Sequence, residues 1–392
     1  MHSFYLAWRY IVFNKFKAAT LVACVTLIAA LPLSLELLLD ESERQLLSRA
    51  QTTPLLVGAK GSALDLVMNS LYFDDEVPEL ISMKAVDQLA ASGLAYPVPL
   101  YIRYSARSFP IVGTTIDYMD FRGLELAAGR QMALLGECVL GATVADTLGL
   151  QPGDTLISSP ETVFDLAGRY PLKMKVVGVF KRSHTPDDLA VFTDLKTTWV
   201  IEGLVHGHQD VSQVRDETLL MQRTESGVVA SPKLFQYSEI TMDNIDSFHF
   251  HGDAGAYPVT AVIAVPHDVK SSTILRGRYL QDTAVHQILL PEKVIDGLLQ
   301  NIFRIKNVMD AVIVIVSTAT LAALVLVFSL SLRLRQRELN TIFKLGCSRS
   351  TVASLLAAEV LIIGLLAGAL CIGLLFVVNL YSSDVVRSLF IN

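Results

Sequence analysis

The sequence has little cysteine and lacks a hydrolase constellation. Of 392 residues only four are cysteine. Cys24 and Cys371 lie in apolar runs, Cys347 follows the basic run Arg333 to Arg337, and Cys138 alone falls in the middle of the chain. A disulfide within that middle region is therefore excluded. No Cys-x-x-Cys pair occurs, which argues against a cysteine zinc site. Neither a Gly-x-Ser-x-Gly elbow nor a His-Glu-x-x-His helix is present. Acidic pairs such as Asp187-Asp188 read as turn chemistry. The run Gly58-Ala-Lys-Gly-Ser62 is too short to cradle a nucleotide. The formal net charge is −6 with no basic patch, so nucleic acid is not an expected partner.

What the chain does have is long apolar runs. A bilayer core of about 30 Å needs about 20 mostly apolar residues in a helix. Ala18 to Leu35, Ala311 to Leu332 and Val360 to Ser383 carry no charge. Helices are expected there, because only a helix satisfies its own backbone polar groups in lipid. The first run has no small-x-small cleavage site in a good position, so it reads as an uncleaved anchor. The expected division is an interfacial N-terminal helix over 1–17, spans at 18–39, 311–332 and 360–383, and an outer domain at 40–305 with its core at about 55–290. A cytoplasmic loop at 333–359 and an extracytoplasmic tail at 384–392 complete it.

Basic residues set the orientation. Arg9, Lys15 and Lys17 precede the first span, and Arg333, Arg335, Arg337, Lys344 and Arg349 lie between the second and third. Both segments are expected in the cytoplasm. Glu36, Asp40, Glu41 and Glu43 open the outer domain. Two helical stalks are expected to join it to the membrane. One carries Leu37, Leu38, Glu41, Arg44, Leu47 and Ala50; the other carries Val294, Leu298, Ile302, Ile305 and Val308.

Between the stalks the pattern is α+β. Leu55–Val57, Phe109–Gly113, Met174–Phe180, Ala190–Phe192 and Thr260–Val265 read as strands. Met83–Ala91, Gly141–Leu148 and Asp194–Gly203 read as helices. Turn residues separate them at Gln151-Pro-Gly-Asp154, Thr185-Pro-Asp-Asp188 and Tyr257-Pro258. A division into two lobes is expected near 205–230, where Gln209 to Val229 reads as a linker or an exposed helix.

Two His-x-His pairs stand out: His206-Gly-His208 and His249-Phe-His251, each with an aspartate two residues on. In a strand such a pair puts both rings on one face, which suits a two-nitrogen grip on zinc. Exposed loop histidines are the plainer reading.

A series of motifs then accumulates: Val57-Gly-Ala-Lys-Gly-Ser62, Ile111-Val-Gly-Thr-Thr115, Gly129-Arg130, Glu137-Cys-Val-Leu-Gly141, Leu148-Gly-Leu-Gln-Pro-Gly-Asp154 and Val176-Val-Gly-Val-Phe180. The cytoplasmic loop adds Arg335-Gln-Arg-Glu338 and Phe343-Lys-Leu-Gly346, with Glu359 opening the third span. In order and topology the chain resembles the permeases of the MacB/FtsX/LolC-E superfamily of ABC systems. The apolar runs give a membrane α-helical base with three transmembrane helices, and the resemblance implies a large extracytoplasmic α+β domain of MacB-periplasmic-core type.

The resemblance implies a non-enzymatic transmembrane permease subunit in the bacterial inner membrane, working as a homodimer or beside a related permease. It implies no intrinsic cofactor, because ATP is held by a separate cytoplasmic ABC ATPase dimer. ATP hydrolysis would move the periplasmic domain by mechanotransmission. Arg335, Arg337, Glu338, Phe343, Lys344, Leu345 and Gly346 would form the coupling contact, with Ser348 capping the next helix. Glu359 reads either as an interfacial residue with its head in water or as an ion-pair partner of a loop arginine. The family pattern has four spans, so three leads to the expectation of an extracytoplasmic C-terminus. Expected partners beyond the ATPase are membrane lipid and a periplasmic adaptor or lipoprotein. Two further functions stay open: an FtsX-like regulator of a cell-wall hydrolase, and a zinc-linked transport component using His206, His208, His249 and His251.

Overall fold

The helices of the membrane base follow the apolar runs, and the computed structural model describes residues 2–159, 171–207, 220–224, 227–230, 238–250, 252–280, 285–334, 341 and 348–390. Helices are α1 (His2–Phe13), α2 (Lys15–Gln51), α3 (Ala63–Tyr72), α4 (Met83–Ala91), α5 (Ile116–Arg122), α6 (Ala142–Leu148), α7 (Leu195–Ile201), α8 (Val269–Tyr279), α9 (Pro291–Leu334) and α10 (Arg349–Phe390). Contacts divide the chain into two units, Arg49–Asp296 and the combination of Met1–Ser48 with Gly297–Asn392.

In the unit of Met1–Ser48 and Gly297–Asn392, α1 and α2 lie against α10. Ile11, Ala18, Leu21, Val22, Ile363 and Ala367 form one buried cluster. Thr26 Oγ1 donates to Val22 O at 2.8 Å and to Ala367 O at 3.3 Å, so a hydroxyl with no water to meet is satisfied within the bundle. Helix α2 continues through Pro32 without a break. Two described helices are long and apolar enough to cross a membrane, Lys15–Gln51 and Ser350–Ser382; a shorter apolar stretch, Asp310–Ala322, lies within α9.

The unit Arg49–Asp296 is built on strands β1 (Leu55–Ala59), β2 (Ile81–Ser82), β3 (Ala95–Ala106), β4 (Phe109–Thr114), β5 (Leu126–Gly129), β6 (Glu137–Leu140), β7 (Thr155–Ile157), β8 (Leu172–Phe180) and β9 (Val191–Asp194). It continues with β10 (Val205–Gly207), β11 (Leu220–Thr224), β12 (Gly227–Ala230), β13 (Ser238–Glu239), β14 (Phe248–Phe250), β15 (Pro258–Val259), β16 (Ala261–Pro266) and β17 (His286–Leu289). A mixed eleven-stranded sheet runs β13-β8-β6-β9-β4-β3-β16-β1-β17, with β5 and β7 also bonded to β8. Its buried core includes Leu55, Val57, Tyr101, Ile111, Leu140, Val176, Val191 and Val262.

Two expectations change. Strands from both sides of 205–230 join this one sheet, β8 and β9 before it and β13, β16 and β17 after it. The expected lobes are therefore tied by a shared ladder. The described parts of Gln209 to Val229 are strands, because β11 and β12 pair as an antiparallel ribbon rather than a helix.

Strand β3 was hidden by Pro97 and Pro99. Over Ala95–Leu100 its ladder runs to β16 on one flank, and β4 takes over from Tyr101. Proline is tolerated in a strand where one flank makes no ladder bonds.

Candidate functional site

The sequence-derived coupling residues Arg335, Arg337, Glu338, Phe343, Lys344, Leu345 and Gly346 lie outside the described residues. Just beyond them, Ser348 Oγ accepts from Thr351 N at 3.2 Å, so Ser348 caps α10 as its position suggested. Glu359 is 5% exposed on α10.

His206 and His249 are direct register partners in the antiparallel pair β10–β14. His208 and His251 lie outside the described residues. Among the described residues no group of three or more His, Cys, Asp or Glu side chains could hold a metal ion.

Among the described residues, the most heavily bonded ionic site is one the motifs did not indicate. Arg49, in the last turn of α2, is 6% exposed, and Asp187 is 3% exposed. Arg49 Nη1 donates to Asp187 Oδ2 at 2.6 Å and Nη2 to Oδ1 at 2.9 Å, a bidentate pair. Nη2 also donates to the Tyr118 hydroxyl at 2.8 Å, and Nε donates to the Leu71 carbonyl. The guanidinium stands 5.3 Å from the Phe73 ring centroid. One side chain at the end of α2 thus binds the C-terminal turn of α3, the body of α5 and the loop before β9.

Asp187 is held for this role by its own loop. Thr185 caps a 3₁₀ turn at Pro186–Leu189, and its hydroxyl donates to Asp187 Oδ2 at 2.9 Å. The Tyr118 hydroxyl donates to Asp187 Oδ1 at 2.7 Å. Asp188 turns the other way: it accepts from Ser183 N and His184 N, both at 2.8 Å, and from Ser183 Oγ at 2.9 Å. Gly141 lets the loop come close. A Cβ there would stand 2.3 Å from the Asp187 carbonyl oxygen, where no side chain fits.

A second cation flanks the pair. Arg122 Nη2 donates to Thr53 Oγ1 at 2.9 Å, and the guanidinium lies 4.8 Å from the Phe121 ring centroid. Its Nε is buried without an acceptor.

The electrostatics follow from this arrangement. Burial alone would raise the Asp187 pKa, but the charge and hydrogen bonds of Arg49, the charge of Arg122 and the Tyr118 hydroxyl outweigh it and hold the carboxyl at about 2. Burial would lower Arg49; Asp187 chiefly reverses that and keeps the guanidinium charged. Arg122 is lowered by burial and by repulsion from Arg49. Tyr118 is pushed up to about 12, mainly by burial, with Asp187 opposing the pull of Arg49. The site is a closed, fully ionised clamp. It holds no exposed nucleophile or general base, and its chemistry is mechanical attachment.

The sequence signal for Asp187 was explained away by turn chemistry, and Arg49 carries no local signal beyond helical continuity. Their separation of 138 positions is invisible in one sequence.

Comparison with known proteins gives a match to the MacB-like periplasmic core domain over residues 21–232. No curated protein matches. Among solved structures, the periplasmic region of MacB from Actinobacillus actinomycetemcomitans is similar with a TM-score of 0.34 and 13% identity, covering 64% of this chain and 93% of that one. The extracellular domain of the noncanonic ABC-type transporter YknZ from Gram-positive bacteria gives 0.33 and 12%, covering 60% and 98%.

Proposed function

The chain belongs to the MacB-like periplasmic core domain family, and from that premise we propose that it is an inner-membrane ABC permease subunit that passes force from a separate cytoplasmic ATPase to its outer domain. The observation that carries this reading is the Arg49–Asp187 clamp. Helix α2 contains a candidate span and is unbroken from Lys15 to Gln51. Its last turn is bonded to three parts of the domain through the buried Arg49 guanidinium. A helix attached in this way transmits displacement; a helix followed by a slack linker dissipates it.

In this reading α9 is the return arm, with the second span inside it at 311–332. The loop bearing Arg335, Arg337, Glu338, Phe343, Lys344, Leu345 and Gly346 docks on the ATPase, and Glu359, at the inner end of the third span, pairs with one of the loop arginines. Two copies, or one copy and a related permease, sit over an ATPase dimer. The cargo is a periplasmic lipoprotein, peptide or lipophilic compound, received with an adaptor. Co-purification tests the docking. The full chain should retain an ABC ATPase in detergent, and Phe343→Ala with Arg337→Glu should release it while the thermal melt of the chain is unchanged. Equal retention by the variant would contradict the reading.

One observation favours a second element, a metal grip. His206 and His249, far apart in sequence, are register partners in β10–β14. In this reading the two imidazoles bind zinc, with His208 and His251 adding to it. Zinc binding to the full chain should fall on His206→Ala with His249→Ala; binding that is unchanged would end the reading.

A further inference from the structure

Strand β17 ends the eleven-stranded sheet. On one flank it pairs with β1, from Leu56↔Leu289 to Ala59↔His286, in unbroken register. Among the described residues no strand lies on its other flank. Its sequence, His286-Gln-Ile-Leu289, contains no lysine, no acidic residue, no proline and no bulge. Of the devices by which edge strands are usually closed to further pairing it has shortness, at four residues, while no charge, proline or bulge blocks its main chain.

Beside it lies a cavity of about 260 Å³. Strand β17 and the turn after it supply Ile288 and Leu290, the end of α8 supplies Arg276 and Leu280, and the first turn of α9 supplies Lys293 and Val294. The volume falls below the roughly 300–1,000 Å³ of small-molecule pockets; it suits side chains projecting from a strand. Leu280, which lines the cavity, is 82% exposed, and Val285, one residue before β17, is 76% exposed. The two charged lining residues are both cations, and among the described residues neither Arg276 nor Lys293 takes part in an ion pair.

We propose that the β17 edge takes an added strand from an extended segment of a partner protein, one with alternating aliphatic residues flanked by carboxylates. Main-chain bonds to β17 provide the affinity, the groove takes the aliphatic side chains, and Arg276 and Lys293 select the acidic ends. The proposal does not depend on the force-transmitting role of α2.

The test uses the full chain in nanodiscs and a fluorescein-labelled peptide, Asp-Val-Thr-Val-Thr-Glu, read by anisotropy. Saturable binding is expected. Arg276→Glu with Lys293→Glu should weaken it about tenfold or more with an unchanged thermal melt. Two N-methylated peptides give a test that leaves the protein unaltered. Methylation of the alternate amides along one edge should abolish binding, and methylation along the other edge should leave it intact. Absence of saturable binding, equal binding by both methylated peptides, or binding indifferent to charge reversal by a folded variant would overturn the proposal. So would a loss of self-association in the charge-reversed chain that tracks the loss of peptide binding, since that would assign the edge to a second copy.

Discussion

Arg49 and Asp187 form a bidentate ion pair, 138 positions apart in sequence, at the point where the last turn of α2 meets the domain. Breaking a buried pair from one side leaves an uncompensated charge, a cost of about 3–5 kcal/mol. Arg49→Ala should therefore destabilise the unit Arg49–Asp296 by about that amount, read by chemical denaturation of the full chain. Replacing both residues, with Arg49→Met and Asp187→Leu, should recover most of the loss, because the desolvation cost of both ions is removed together. Equal losses in the single and double variants would show that packing, not charge, sets the effect.

The pH dependence has a definite sign. The Asp187 pKa falls from 3.8 to about 2 on folding. Its contribution is then present above 3.8 and lost as pH falls from there through about 2. Tyr118 moves from 10.0 up to about 12, so its contribution is present below 10.0 and lost as pH rises through about 12. Between these limits the clamp is indifferent to pH. Thermal melts of the full chain from pH 2 to 6 should show an acid limb below 3.8 that is shallower in Asp187→Asn.

Gly141→Ala should act on the clamp without touching a charge. The new Cβ would meet the Asp187 carbonyl oxygen at 2.3 Å and the Asp188 carbonyl oxygen at 2.5 Å. Displacing that loop should cost about 1–3 kcal/mol. Gly61→Ala, where a Cβ meets nothing within 4 Å, is the control and should leave the melting temperature nearly unchanged.

Cys138 provides an internal reporter. It is fully buried on β6, and burial pushes its thiol up to about 12. Maleimide labelling at Cys138, read by mass spectrometry, should be negligible in the native chain and should appear with the unfolding transition. Labelling at native temperature would mean that β6 opens locally.

The residues that sequence reasoning located are those whose signal is local. Met83–Ala91 is a helix because its apolar residues recur at helical spacing, and Asp194 caps α7 through Lys196 N. The strand runs of β1, β4, β8, β9 and β16 were legible from their apolar alternation or continuity. Strand β3 was not, because Pro97 and Pro99 carry a strong local signal against a strand that one-sided pairing overrides. The clamp was not legible either. Thr185-Pro-Asp-Asp188 is satisfied as a turn, and the turn uses Asp188, while Asp187 is turned to Arg49. A local explanation that is correct for one aspartate concealed the long-range role of its neighbour.

The most direct test places a spin label at Lys270→Cys, an exposed position on α8, in the full chain assembled with its ATPase in nanodiscs. The distance between labels on paired copies is then measured with and without ATP. The account predicts an ATP-dependent change that is lost or strongly reduced in the folded Arg49→Met, Asp187→Leu chain, whose ATPase association is retained. An unchanged distance shift in that variant would contradict transmission through the Arg49–Asp187 clamp.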